Sequence, residues 1–271
     1  MTRESDSGAG TRGWPPAAPR FRVRSFGRAE DLDIDFRARR PQVVTQILAR
    51  CVTDAAGRSS SDDEPWRWTV PQRTQGLLAV ACACGVPSVA ALARCEREGG
   101  GGEQIELEFD LESFAQSTEP TECAWHGETA SLVLRLPTGE DQRRWLESPP
   151  ADPAELPVRM GTSLVRELDG ATPGETWQLP QAWLAGVEDA LAENDPTTDL
   201  SFSASCPRCG DELEVEVDLD ALLLERLARV QQDLLLEVHA LASGYHWSET
   251  QILAIPAWRR AYYIEAMRQG A

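Results

Sequence analysis

Cys206-Pro-Arg-Cys209-Gly210 is the stretch best equipped for chemistry. Two thiols separated by two residues around a tight turn can face one metal ion, and the spacing is half of a zinc ribbon. A tetrahedral site needs two further ligands. Cys123-Ala-Trp-His126 offers the same gap and supplies the candidate second pair, Cys123 and His126; Cys95 and the Cys82-Ala-Cys84 pair also carry thiols. Zinc is therefore the one cofactor the sequence raises. A thioredoxin-like role is disfavoured, because the Cys206 pair precedes a strand pattern instead of opening a helix.

Other chemistry finds little support. Three histidines are present, His126, His239 and His246, and none belongs to a nucleophile arrangement. The run Gly99 to Gly102 lacks the Lys-Ser/Thr that a phosphate-binding loop requires. These observations point to a protein without a catalytic site. The formal net charge of -18, from 44 acidic against 26 basic residues, repels phosphate backbones and anionic membranes alike. Every basic side chain other than histidine is Arg, a residue suited to planar carboxylate contacts at protein interfaces. No apolar run reaches the length of a membrane span, and seven cysteines without a secretory signal imply reduced thiols in a cytoplasm.

The elements that would position these residues are written twice, at a spacing of roughly 110 residues. Ile105-Glu-Leu-Glu-Phe-Asp-Leu-Glu-Ser-Phe114 answers Leu213-Glu-Val-Glu-Val-Asp-Leu-Asp-Ala-Leu222, and both have the period-2 alternation of half-buried strands. Cys95 precedes the first and Cys206 the second. Val70-Pro-Gln72 answers Leu179-Pro-Gln181, Leu48-Ala-Arg50 answers Leu164-Val-Arg166, and Phe26 to Asp31 faces Leu136 to Asp141. The expected fold is α+β: two degenerate tandem repeats of short strands plus helices, followed by a C-terminal helical segment. The divisions are a disordered tail (1–19), a first repeat (20–116), a linker (117–130), a second repeat carrying the knuckle (131–219) and terminal helices (220–271). In that last segment Leu223, Leu227, Val230, Leu234, Val238 and Leu241 recur at helical spacing. Asp218 or Asp220 is the expected N-cap and Gly244 the expected stop. Ser248 with Gln251 makes a capping box, and Pro256 starts a last helix.

Tyr245, Trp247, Ile252, Leu253, Trp258, Tyr262 and Ile264 are expected to form one aromatic-aliphatic cluster beside Arg259 and Arg260. The ordered string Trp247-Ser-Glu249, Ile252-Leu253 and Arg259-Arg260-Ala-Tyr-Tyr263 resembles the ending of a family of hub and assembly proteins of T4-like phage baseplates, also found in contractile injection systems. Leu134-Arg-Leu-Pro-Thr-Gly139 and Cys206 to Gly210 resemble other parts of that family, and the likeness spans roughly residues 131–271. The resemblance implies a structural or assembly role through binding other baseplate or hub proteins. The residues expected to touch those partners are Trp247, Trp258, Arg259 and Arg260. A zinc-ribbon and helix-turn-helix regulator of nucleic acid is the alternative, and the acidic charge weighs against it.

Overall fold

The same order of elements, β-α-α-β-α-β-β, occurs twice along the chain. In a computed structural model describing residues 22–53, 61–96, 102–114, 121–195, 197 and 200–269, the first repeat comprises β1 (Arg22–Val23), α1 (Ala29–Leu32), α2 (Arg40–Cys51), β2 (Val52–Thr53), α3 (Val70–Ala83), β3 (Ser88–Arg94) and β4 (Gln104–Asp110). A strand between the repeats, β5 (Glu122–His126), follows. The second repeat is β6 (Ser131–Arg135), α4 (Gly139–Glu147), α5 (Leu156–Leu164), β7 (Val165–Leu168), α6 (Leu184–Glu193), β8 (Leu200–Ser205) and β9 (Glu212–Val217). Three helices close the chain: α7 (Leu219–Tyr245), α8 (Glu249–Leu253) and α9 (Ala257–Arg268). The α+β reading with a helical ending thus holds. The tail expected over 1–19 lies outside the described residues, and no helix among them is long and apolar enough to cross a membrane.

Matching chemistry starts each repeat. In the first, Asp31 accepts both guanidinium nitrogens of Arg24, at 2.6 and 2.8 Å, and the N–H groups of Gly27 and Arg28, each at 2.9 Å. In the second, Asp141 pairs with Arg135 and accepts the Thr138 N–H at 2.9 Å. Both carboxylates are buried and sit at the third position of their helix, where they satisfy N–H groups that the first turn leaves unpaired. Burial alone would raise their pKa values. The arginine bonds foremost, then the backbone N–H groups, hold both below the ordinary value of 3.8.

The first core joins α2 and α3 to the front half of α7, where Leu219, Leu223 and Leu227 are buried against Ile47, Leu48, Leu77 and Leu78. Each such leucine contributes about 2 kcal/mol by leaving water. Gly76 lets α2 and α3 approach: a β-carbon there would stand 2.6 Å from Leu48 Cδ2. Arg73, also on α3, is buried and donates to the carbonyls of Pro65 and Pro41 at 2.6 Å each, with its guanidinium over the Trp66 ring. Burial pushes its pKa down to about 10. Gly139, which opens α4, leaves the room this guanidinium occupies.

The second core lies under the antiparallel sheet β5-β6-β7 and takes Leu132, Leu134, Leu164, Leu179 and Val187 from the second repeat. The segment 117–130, expected as linker, therefore contains a strand. Alternation explains it, since Cys123 and Trp125 face this core while Glu122, Ala124 and His126 face out.

The hairpins β3–β4 and β8–β9 pack face to face. Ala91, Val215 and Val217 are buried between them, and the Phe109 and Phe202 rings meet at 4.5 Å. Their outward rows carry Glu106, Glu108 and Asp110 on one side and Glu212, Glu214 and Glu216 on the other. Beyond the hairpins Asp218 caps α7 by accepting the Ala221 N–H at 3.0 Å. The helix runs past Gly244 to Tyr245 and ends on His246 in the left-handed conformation, φ 58°. Gly244 is instead where Met267 of α9 packs, as a β-carbon there would meet the Met267 sulfur. The Ser248–Gln251 capping box forms as expected.

Candidate metal centre and terminal partner face

Two strand ends build the thiol cluster. Cys95 follows β3 and donates its N–H to the Glu103 carbonyl at 2.9 Å. Cys206 follows β8 and donates to the Asp211 carbonyl at 2.8 Å. They are the same position in the two repeats. Past Cys206 the chain turns through Gly210, at φ 77°, whose N–H returns to the Cys206 carbonyl at 2.9 Å, and this turn swings Cys209 back over the hairpin end. Because the hairpins stack, Cys95, Cys206 and Cys209 converge with their sulfurs all within 4.8 Å of one another. Cys95 and Cys209 stand 3.7 Å apart. Sulfurs ligating one tetrahedral zinc at about 2.3 Å lie about 3.8 Å from each other.

The two thiols of the knuckle differ in their electrostatics. The Cys209 and Arg208 N–H groups point at the Cys206 sulfur and lower its pKa, which is how a thiolate is held ready for a metal. Cys209 receives the Asp211 N–H, but burial and the adjoining cysteines outweigh that bond and push its thiol up. Three thiolates side by side repel, and a divalent ion among them removes the repulsion. These three cysteines can hold a metal ion. In sequence, Cys95-Glu-Arg-Glu-Gly99 runs parallel to Cys206-Pro-Arg-Cys-Gly210; the residue answering Cys209 is Glu98, outside the described residues.

The second pair expected from spacing, Cys123 and His126, does not join the site. Three positions apart on β5, they project to opposite faces: Cys123 is buried in the second core and His126 is exposed. The knuckle-like gap belongs to a strand, where it cannot aim two ligands at one ion. Of the remaining cysteines, Cys51 is buried in the first core, its thiol pushed up to about 12 by burial, and Cys84 accepts the Phe26 N–H at 3.3 Å. The third thiol of the cluster, Cys95, is visible in sequence as the cysteine preceding the first copy of the repeated strand.

The terminal helices divide the expected contact residues into inner and outer sets. Trp247 stacks on Tyr245 at 4.7 Å and meets Tyr263 edge-on, inside a core formed with Val238, Leu241 and Ile252. Trp247 is half-buried, whereas Arg260 is buried: its Nε lies 3.0 Å from Glu237 of α7, and Nη1 donates to the Ile255 carbonyl at 2.8 Å. Trp247 and Arg260, both expected at the partner contact, therefore also take part in packing α9 on α7. Trp258 and Tyr262, expected inside the cluster, are 73% and 68% exposed. Four residues apart on α9, they share one face, with exposed Arg259 beside them. Leu235 and Leu236 of α7 are also exposed.

No family model matches the chain, and no solved structure matches it. A stretch of 67 residues is 36% identical to part of the multifunctional CCA protein of Variovorax paradoxus (strain S110); it covers 25% of this chain and 15% of that protein.

Proposed function

We propose that this protein is a non-enzymatic structural or assembly component of the baseplate of a contractile tail-like particle, working in the cytoplasm by binding other baseplate proteins. The supporting observation is the outward face of α9. Trp258 and Tyr262 leave two large rings in water on a small, well-packed helical module, with Arg259 alongside. Aromatics and arginine dominate binding energy at protein interfaces, and the string that carries them, Trp247 to Tyr263, is the part that resembles the baseplate family. The ion suited to Cys95, Cys206 and Cys209 is zinc, since thiolates select soft or borderline cations; a closed tetrahedral site takes one further ligand beside these three.

Binding to nucleic acid is the competing reading for paired hairpins bearing cysteines. The rows Glu106, Glu108, Asp110 and Glu212, Glu214, Glu216 on their outer faces oppose it. The deciding experiment is affinity purification of the tagged chain from cells producing such particles, with electron microscopy of a deletion strain. Sheath, hub or wedge proteins should copurify, and particles should be missing or defective without the gene. Normal contractile particles in the deletion strain would refute the proposal.

A further inference from the structure

The candidate metal centre draws its thiols from both hairpins, Cys95 just after β3 and Cys206 with Cys209 just after β8. Accepting the zinc reading above, on which this step rests, we infer that the ion is a clasp between the two repeats: it holds β3–β4 on β8–β9 and, through them, seats the front half of α7.

Three observations carry the inference. First, the ligands are divided. Cys95 comes from the first repeat and Cys206 with Cys209 from the second, and 114 positions separate Cys95 from Cys209. Neither repeat offers more than two of these thiols, so all three can meet one ion only when the hairpins are stacked.

Second, the seam between the hairpins is modest: a small buried set and one close ring pair, Phe109 with Phe202. Each hairpin is two-stranded, a form of marginal stability by itself. The residues buried between them are Ala91, Val215 and Val217, small side chains with a modest transfer energy. Val89, Phe109 and Leu200 also rest on the first core, but no core cluster includes Cys95, Cys206 or Cys209.

Third, α7 is continuous with the clasped element. Val217 ends β9, Leu219 begins the helix, and Leu222 packs against both the hairpin core and the first core. Loosening β8–β9 therefore releases the residues that seat the helix on α2 and α3, whereas its far half is held by α8 and α9.

The inference predicts a regional response to metal. Full-length protein should be purified with zinc, its content measured by elemental analysis, and hydrogen exchange followed before and after stripping with a chelator. Protection should fall in 88–94, 104–110, 200–205 and 212–230. It should persist in the β5-β6-β7 sheet and in 238–268, which serve as internal evidence that the chain is still folded. Cys95→Ser should weaken zinc binding by more than about 100-fold, beyond the effect of altering groups outside the ligand shell, and deprotect both hairpins; Cys123→Ser should leave affinity unchanged.

A chain that neither contains nor takes up zinc would overturn the zinc reading itself. Zinc bound and then removed with no change in exchange would leave that reading standing and overturn the clasp. Loss of protection throughout the chain would likewise overturn it, because the ion would then support the whole fold instead of one junction.

Discussion

Arg260 of α9 reaches back to Glu237 of α7, placing its Nε 3.0 Å from the carboxylate, while its neighbour Arg259 stays in water. Together with Met267 packed at Gly244, this contact sets α9 alongside α7 in the same sense. Two adjacent arginines thus stand in opposite environments.

Replacing them separately should divide stability from binding. Arg260→Ala is expected to destabilise the terminal module by about 2 kcal/mol, the scale of hydrogen bonds to a charged group, lowering the melting temperature followed by circular dichroism. Arg259→Glu should leave melting within about 0.5 kcal/mol of the parent, as surface changes do. On the proposed function it should reduce copurification of partners. Trp258→Ala with Tyr262→Ala should do the same more strongly. Retained partner binding in that folded double variant would move the interface away from α9.

Gly139 and Arg73 should be coupled. A β-carbon at 139 would lie 2.4 Å from Arg73 Nη1, and that nitrogen is held by the Pro65 carbonyl at 2.6 Å. Gly139→Ala should therefore cost about 1–3 kcal/mol, as overpacking does. In an Arg73→Met background the added penalty should shrink, giving a non-additive double-mutant cycle in urea denaturation. Additive effects would show that the guanidinium moves aside freely.

The buried carboxylates give an acid limb. Asp31 and Asp141 have pKa values lowered in the folded chain, so the stability they bring is complete above the unfolded value near 3.8. It is lost as pH falls below that value, through the still lower folded one. Asp31→Asn should cost about 3 kcal/mol at neutral pH, the scale for removing one partner of a buried pair. The gap from the parent should narrow as both are titrated below about pH 3. A gap independent of pH would assign the loss to packing alone.

Much of this architecture was legible because it rests on local signals. The duplicated alternation at Ile105 and Leu213, the Ser248–Gln251 box and the leucine period of α7 each act within one element, and each appears where expected. What escaped depends on facing and on distance. The spacing of Cys123 and His126 imitates a knuckle until the strand is known to alternate, and Arg259 differs from Arg260 only by which side of α9 meets α7. Cys95 could be matched to Cys206 by position, but only the stacking of hairpins from different repeats brings its sulfur to Cys209. Nothing in the local sequence marks Arg73 for burial, because Pro41, Pro65 and Trp66 close around it only in the fold.

The 27 residues of α7 contain no proline, and buried positions recur from Leu219 to Leu241. At 1.5 Å per residue such a helix is about 40 Å long. It begins at the hairpins and ends in the module that bears Trp258 and Tyr262, without a break in its hydrogen bonding. The span therefore acts as a ruler. The outer rings themselves are kept at a set offset from the body of the repeats, and inserting or deleting residues in the middle of α7 would change both that offset and the angle at which the rings are presented.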